Sequence, residues 1–178
     1  MKKFNKTKGI LFWITGLSGS GKTTLGNAIH KEIKKLYGPT LLISGDDVRK
    51  IFDLKGYEYK QRLQITKKYC KFAKYITNQK INIIFAVVGM FHEPRKWNQK
   101  NIQNYVEIYI KSNIKKIIKS NRKKIYKKKN PGKLIGLDIK PEYPSNPNIT
   151  ILNHFKSSEE KMKNILLKKI NIFINEKK

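Results

Sequence analysis

The sequence predicts an α/β protein of three layers, with a mainly parallel sheet of about five strands between two layers of helices. Three observations carry that expectation. Short apolar runs alternate with longer segments spaced as amphipathic helices, the order that gives a parallel sheet with right-handed crossovers. The third run, Ile81 to Gly89, is apolar almost throughout, as a strand covered on both faces must be. Between the first run and the first helical segment stands Gly16-Leu17-Ser18-Gly19-Ser20-Gly21-Lys22-Thr23, which fits G-x-x-x-x-G-K-[ST]. Strand, glycine-rich loop and helix in that order are the pattern of the P-loop NTPase fold.

The elements follow in order. Ile10 to Ile14 reads as the first buried strand, and Leu25, Ile29 and Ile33 mark one face of the first helix. Tyr37-Gly38-Pro39 breaks it, and Thr40 to Ser44 is a second strand. A short helix follows with Val48, Ile51 and Phe52 on one face, and Gly56-Tyr57 interrupts it. From Tyr59 to Asn78 the spacing predicts a long helix with Leu63, Ile65, Tyr69, Phe72, Ala73 and Ile76 inward. After the third strand come a short helix over Pro94–Asn101 and a fourth strand over Tyr105–Ile110, which alternates more. Ile114, Ile117 and Ile118 stripe another helix. A proline-rich loop from Pro141 to Pro147 precedes a fifth strand, Ile149 to Leu152. A last helix over about 158–175 carries Glu159 and Glu160 in its first turn, where acids favour the helix dipole. No repeat or long linker divides residues 1–178, so one domain is expected, with a basic lid segment over about 111–147.

Composition narrows the functional classes. Apolar residues make up 39% and aromatics 11% of 178 residues, enough for a real core and too much for a disordered tail. Forty basic against twelve acidic residues give a net charge of +28, which favours anionic partners: nucleotides, nucleic acid or a membrane surface. Lys, Ile and Asn abound everywhere, so much of that charge reads as a solvated compositional bias. Cys70 is the single cysteine, which excludes an internal disulfide framework, and His30, His92 and His154 are too scattered for a zinc pattern. No apolar run approaches the ~18 residues of a membrane span. Met1 to Lys8 leads into a strand rather than a signal-peptide core, so a cytoplasmic protein is expected.

The chemistry concentrates at the carboxyl ends of the strands, where ligands sit in such sheets. Gly16 to Thr24 would bind ATP: the glycines let backbone N–H groups line an anion site, Lys22 reaches the β- and γ-phosphates, and Thr23 offers a hydroxyl to Mg²⁺. Asp46 and Arg49 stand three apart at a helix start, hence near one face. Asp46 could hold a Mg²⁺ water and accept a proton from an attacking hydroxyl, and Arg49 could fork onto a substrate phosphate or sulfate. Alternatively Asp46 caps the helix and Arg49 is surface charge. The third strand ends without an aspartate, so Mg²⁺ would rest on Thr23, the phosphates and waters, with Asp46 in the outer shell. From Lys111 to Lys133 there are eleven basic residues and no acid. Such a segment suits a cationic lid over phosphates, a solvated helix, or an RNA-binding face, though Tyr126 alone among its residues could stack on a base.

These residues resemble a known family. Phe12 through Leu25 is similar to the opening of adenylyl-sulfate (APS) kinases, and Gly45-Asp46-Asp47-Val48-Arg49 resembles their G-D-N-x-R element. Arg62, the run Lys123 to Lys128, and Gly136-Leu137-Asp138 followed by Pro141-Glu142-Tyr143 and Pro147 resemble further blocks, collinear over residues 9–152. The resemblance implies transfer of the ATP γ-phosphate to the 3′-hydroxyl of adenylyl sulfate, with Mg²⁺. It implies catalytic roles for Lys22 and Asp46, and contacts to the acceptor nucleotide from Asp46, Arg49, Arg62 and Lys123. No stable nucleic-acid complex is expected, and a homodimer is admitted.

The chain departs from that family mostly on the acceptor side. Asp47 replaces an Asn, Ile65 stands where the family has an Asn near the acceptor, and Lys67-Lys68 replaces Arg-Arg. Gly89-Met90-Phe91 replaces Ser-Pro-Tyr, Ser120 replaces an arginine with Arg122 close by, and the lid between Tyr126 and Gly136 is shorter. Adenylyl sulfate is the first expectation for the acceptor. Another nucleotide, such as cytidine diphosphoramidate of surface-polysaccharide synthesis, comes second, and a nucleic-acid-binding protein with a vestigial loop is the remaining alternative.

Overall fold

The computed structural model describes residues 3–120 and 134–177. The elements run β1 (Leu11–Thr15), α1 (Lys22–Tyr37), β2 (Thr40–Ser44), α2 (Gly45–Ile51), α3 (Tyr59–Asn78) and β3 (Asn82–Val87). They continue with α4 (His92–Asn101), β4 (Tyr105–Lys111), α5 (Ile114–Lys119), β5 (Ile149–Leu152) and α6 (Glu159–Asn175). The five strands form one sheet in the order β2-β3-β1-β4-β5, and every pairing is parallel. β1 is central, with Thr15 level with Val87 of β3 and Tyr109 of β4. The chain leaves β1 towards β2 on one side and later returns to β4 on the other. The crevice above β1 is therefore the switch point of the sheet.

Alternation of side chains along β1 divides the core. Phe12 and Ile14 pack with Leu25, Ile29 and Ile33 of α1 and Leu166, Ile170 and Ile174 of α6. Leu11 and Trp13 face the opposite layer, with Ile65, Tyr69 and Ala73 of α3 and Ile102 after α4. A third cluster, including Leu17, Met90, Phe91, Tyr109 and Ile135, closes the rim at the strands' carboxyl ends. No helix among the described residues is long and apolar enough to cross a membrane.

Three expectations need correction. Ile51 and Phe52 are exposed at 64% and 55%, and only Val48 of that stripe is buried. α2 spans just two turns, so its last residues run past the edge of the core; the Phe52 ring stands edge-to-face with Phe72, at 6.3 Å between ring centres. In α5 only Ile117 of the isoleucine stripe is buried, and Ile118 is exposed, because six residues turn one face only briefly to the core. β4 does not alternate: Tyr105 through Ile110 are all buried, because helices cover both faces of this inner strand. Glu107 is thereby drawn into the core.

Candidate active site

Gly16 to Thr24 wraps the carboxyl end of β1 and runs into α1. Gly16 has φ +152°, and a Cβ there would stand 2.7 Å from the Ile110 carbonyl oxygen, inside contact distance. Gly21 takes the left-handed conformation at φ +95° as the N-cap of α1, with no side chain capping the helix. The first N–H groups of a 16-residue helix thus open onto a cavity, an arrangement that favours an anion. Ser18, Gly19, Gly21, Lys22, Thr23 and Thr24 line it. Gly16, Leu17 and Ser20 lie behind: Leu17 and Ser20 are buried, and the Leu17 carbonyl accepts a 2.7 Å hydrogen bond from Lys22 Nζ. The Lys22 ammonium, 7% exposed as a residue, is held at the loop by that carbonyl.

The opposite wall comes from β2 and α2. Ser44 caps α2, its hydroxyl accepting from Asp47 N–H, and Asp47 Oδ2 accepts from Ser44 N–H at 2.8 Å and from Ser44 Oγ at 2.7 Å. Those bonds hold the Asp47 carboxyl below the ordinary carboxylate range. The capping acid is therefore Asp47, which accounts locally for an aspartate at that position. Asp46 lines the phosphate-side cavity instead, and it also lines a second cavity next door. Ser18, Gly45, Asp46 and Val88 are common to both.

The second cavity is bounded by α2, α3, the loop after β3 and the return of the lid. Arg49 Nη1 donates to the carbonyls of Leu54 and Gly56, both at 3.0 Å. Arg62 Nε donates to the Tyr57 carbonyl at 2.7 Å. Both guanidiniums lie over the Tyr57 ring, at 4.8 and 5.0 Å from its centre. Burial first, and the neighbouring Arg49 charge second, lower the pKa of Arg62. Tyr69 donates to the Gly45 carbonyl at 2.9 Å, and burial pushes its phenol up to about 12. Ile65, Phe91, Leu134 and Ile135 supply apolar wall, so the cavity pairs two cations with surface for a flat ring.

Most residues singled out from the sequence thus meet on one rim: the loop, Lys22, Thr23 and Asp46 on the phosphate side, Arg49 and Arg62 beyond Asp46. Lys123 and much of the basic lid segment lie outside the described residues. Among the described residues no group of three or more His, Cys, Asp or Glu could hold a metal. The oxygens available at the cavity, Thr23 and Asp46, suit Mg²⁺, which prefers few protein oxygens beside substrate phosphates and water.

Three residues at the site were given no role from the sequence. Asn153, 4% exposed just past β5, donates from Nδ2 to the Ser20 carbonyl at 3.0 Å and so ties the phosphate loop to the sheet. One asparagine after a strand reads as a turn, which hid it. Arg95 and Glu107 form an ion pair at 3.0 Å whose side chains are 5% and 7% exposed. Oε1 of Glu107 has no donor in hydrogen-bond geometry, so this is a charge contact rather than an aligned bond. Burial pushes the Glu107 carboxyl up to about 7, with Arg95 offsetting that only in part. A lone acid inside the apolar run of β4 was the available signal, since a buried carboxylate requires a partner.

The family model for adenylylsulphate kinase matches residues 8–152. A cytidine diphosphoramidate kinase of Campylobacter jejuni is 32% identical over 168 residues, covering 93% of this chain and 98% of the relative. An adenylyl-sulfate kinase of Clostridium acetobutylicum is also 32% identical, over 166 residues, covering 90% and 82%. A Mycobacterium tuberculosis APS kinase solved with AMPPNP and APS superposes with a TM-score of 0.79 at 18% identity, covering 92% of this chain and 98% of that one. The fold is that of P-loop kinases.

Proposed function

Because the chain belongs to the adenylylsulphate kinase family, we propose that it transfers the γ-phosphate of ATP to a ribose hydroxyl of a nucleotide with an anionic 5′ group, and takes cytidine diphosphoramidate ahead of adenylyl sulfate. The observation that carries the first part is the meeting of two cavities at Asp46, one lined by the phosphate loop and one by Arg49 and Arg62. In this reading the loop N–H groups and Lys22 hold the ATP phosphates. The acceptor's anionic group sits by Arg49 and Arg62, bringing its hydroxyl to the junction. The hydroxyl oxygen attacks the γ-phosphorus, its proton passes to the Asp46 carboxylate, and the bond to the bridging oxygen of ADP breaks. Thr23 and Asp46 would hold Mg²⁺, which when bound neutralises charge on the phosphate oxygens. Lys123 would join the acceptor's cations when the lid is in place. Use of ATP fits a cytoplasmic enzyme.

Support for the cytidine compound is twofold. The Campylobacter relative is matched over nearly its whole length. Ile65, which replaces the family's Asn, lies in the wall of the acceptor cavity, where it removes a polar contact. Adenylyl sulfate remains the second reading, favoured by the family model and by the Clostridium relative. The test is kcat/KM for the two acceptors with Mg·ATP. A preference for the cytidine compound of about a hundredfold, ~2.7 kcal/mol of differential transition-state binding, is the expected result. An equal preference for adenylyl sulfate would overturn the order and keep the kinase.

A further inference from the structure

Arg95 does not line the acceptor cavity, and its guanidinium reaches three separate stretches of chain. Nη1 donates to the Gly89 carbonyl at 3.3 Å, in the loop after β3. Nη2 lies 2.9 Å from His92 Nδ1 and donates to the Glu142 carbonyl at 2.8 Å, on the strand-ward return of the lid. Nε meets Glu107 of β4 at 3.0 Å. Two of the stretches are also stitched to each other. Glu142 N–H donates to the Met90 carbonyl at 3.0 Å, and the Glu142 carboxylate accepts from His92 N–H and from the Tyr59 hydroxyl. Tyr59 in turn stands edge-on to Phe91, 5.3 Å between ring centres. Gly89 and Phe91 form part of the cavity wall.

We propose that Arg95, with Glu107 as its buried counter-ion, is the positioning residue of the acceptor wall, joining the loop Gly89–His92 to the returning lid at Glu142. The inference rests on the acceptor reading of that cavity for its catalytic consequence. The physics is specific to arginine. A rigid planar fork holds carbonyls of two separated segments in fixed directions while its Nε faces the counter-ion, a geometry that a rotating ammonium on a flexible stem does not fix. A guanidinium placed this deep needs a counter-charge, and the nearest carboxylate is Glu107, carried up from the middle of β4. Removing Arg95 frees the Gly89 and Glu142 carbonyls from their shared donor, and removing the Glu107 charge leaves the guanidinium buried without its counter-ion, which loosens its hold on them. The wall is then no longer held relative to Asp46, and displacement of a substrate-facing wall is felt at the acceptor more than at ATP.

The experiment uses the full chain and the variants Arg95→Lys, Arg95→Ala and Glu107→Gln, each followed by thermal melting. Two readouts are taken. The first is steady-state KM for ATP and for each of two acceptors, cytidine diphosphoramidate and adenylyl sulfate. The expected result is an acceptor KM raised about tenfold or more, with the ATP KM within about twofold of the parent. The second is amide hydrogen exchange. Protection at His92 and Glu142 falls in Arg95→Lys while protection in the phosphate loop and α1 is kept. Unchanged exchange at His92 and Glu142 in folded Arg95→Lys overturns the proposal, as does an ATP KM that rises in step with the acceptor KM. Should Arg95→Ala fail to fold, Arg95→Lys and Glu107→Gln carry the test. If the parent phosphorylates neither acceptor, the functional reading fails, and hydrogen exchange alone decides whether Arg95 holds the wall.

Discussion

At the residue scale, Lys22 and Glu107 are two buried charges with opposite consequences. Lys22 rests on the Leu17 carbonyl, and in the proposed reaction it exchanges that contact for phosphate oxygens. Its charge then acts on the transferring group, where preorganised electrostatics count most. Lys22→Ala is expected to lower kcat by at least about a hundredfold, while turnover within about tenfold, ~1.4 kcal/mol, would contradict the role. Glu107 is a cost as well as an anchor. Burial lifts its folded-state pKa to about 7, above the ordinary carboxylate value. The folded protein therefore binds this proton more tightly than the unfolded chain does. The corresponding stability is present at low pH and is lost as pH rises through about 7. Denaturant unfolding of the parent and Glu107→Gln at pH 5 and pH 8 isolates the effect. The parent should lose ground to the variant towards pH 8, by on the order of 3 kcal/mol for the full window. A difference independent of pH would show that the group does not titrate there. Such residues were poorly legible in the sequence: Arg95 and Glu107 are ordinary charges until the fold buries them against each other.

At the element scale, the strands were legible because apolar runs buried on both faces have few other readings, and α3 because its stripe persists over 20 residues. α2 was misread at Ile51 and Phe52, since seven residues are too few for periodicity to tell an inward face from an overhanging end. The phosphate loop was legible from its glycines, but not its fastening. Asn153, beyond β5, accepts from Phe155 N–H at 2.9 Å, and its amide group donates to the Ser20 carbonyl, joining the last strand to the loop after the first. Asn153→Ala leaves that carbonyl buried without its donor, at a cost of about 1–3 kcal/mol. The expected outcome is a lower melting temperature together with an ATP KM raised severalfold and an acceptor KM unchanged. An unchanged ATP KM in a folded variant would reduce Asn153 to a purely structural contact. This pattern is the mirror of that expected for Arg95, so the two residues separate the donor and acceptor halves of the site.

At the scale of the whole molecule, the α/β class and parallel sheet followed from the order of elements, and the site's location from the rule that ligands sit at the strands' carboxyl ends. What composition alone did not decide is the meaning of a +28 net charge. The basic side chains that line the two cavities are few among the described residues: Lys22, Arg49 and Arg62. The remaining charge should bind RNA or DNA only weakly, with micromolar affinity at physiological salt and a steep loss as salt rises. Nanomolar binding at that salt without ATP binding would favour a nucleic-acid protein instead. The central claim is that donor and acceptor cavities meet at Asp46 for phosphoryl transfer. The most direct measurement is single-turnover transfer of labelled γ-phosphate from ATP to cytidine diphosphoramidate or adenylyl sulfate, by the parent and by Asp46→Asn. The expected result is a labelled nucleotide from the parent and a rate lower by at least about a hundredfold in Asp46→Asn, with ATP affinity within about twofold. Transfer by Asp46→Asn at a rate within about tenfold of the parent, or no labelled nucleotide from the parent at all, would contradict it.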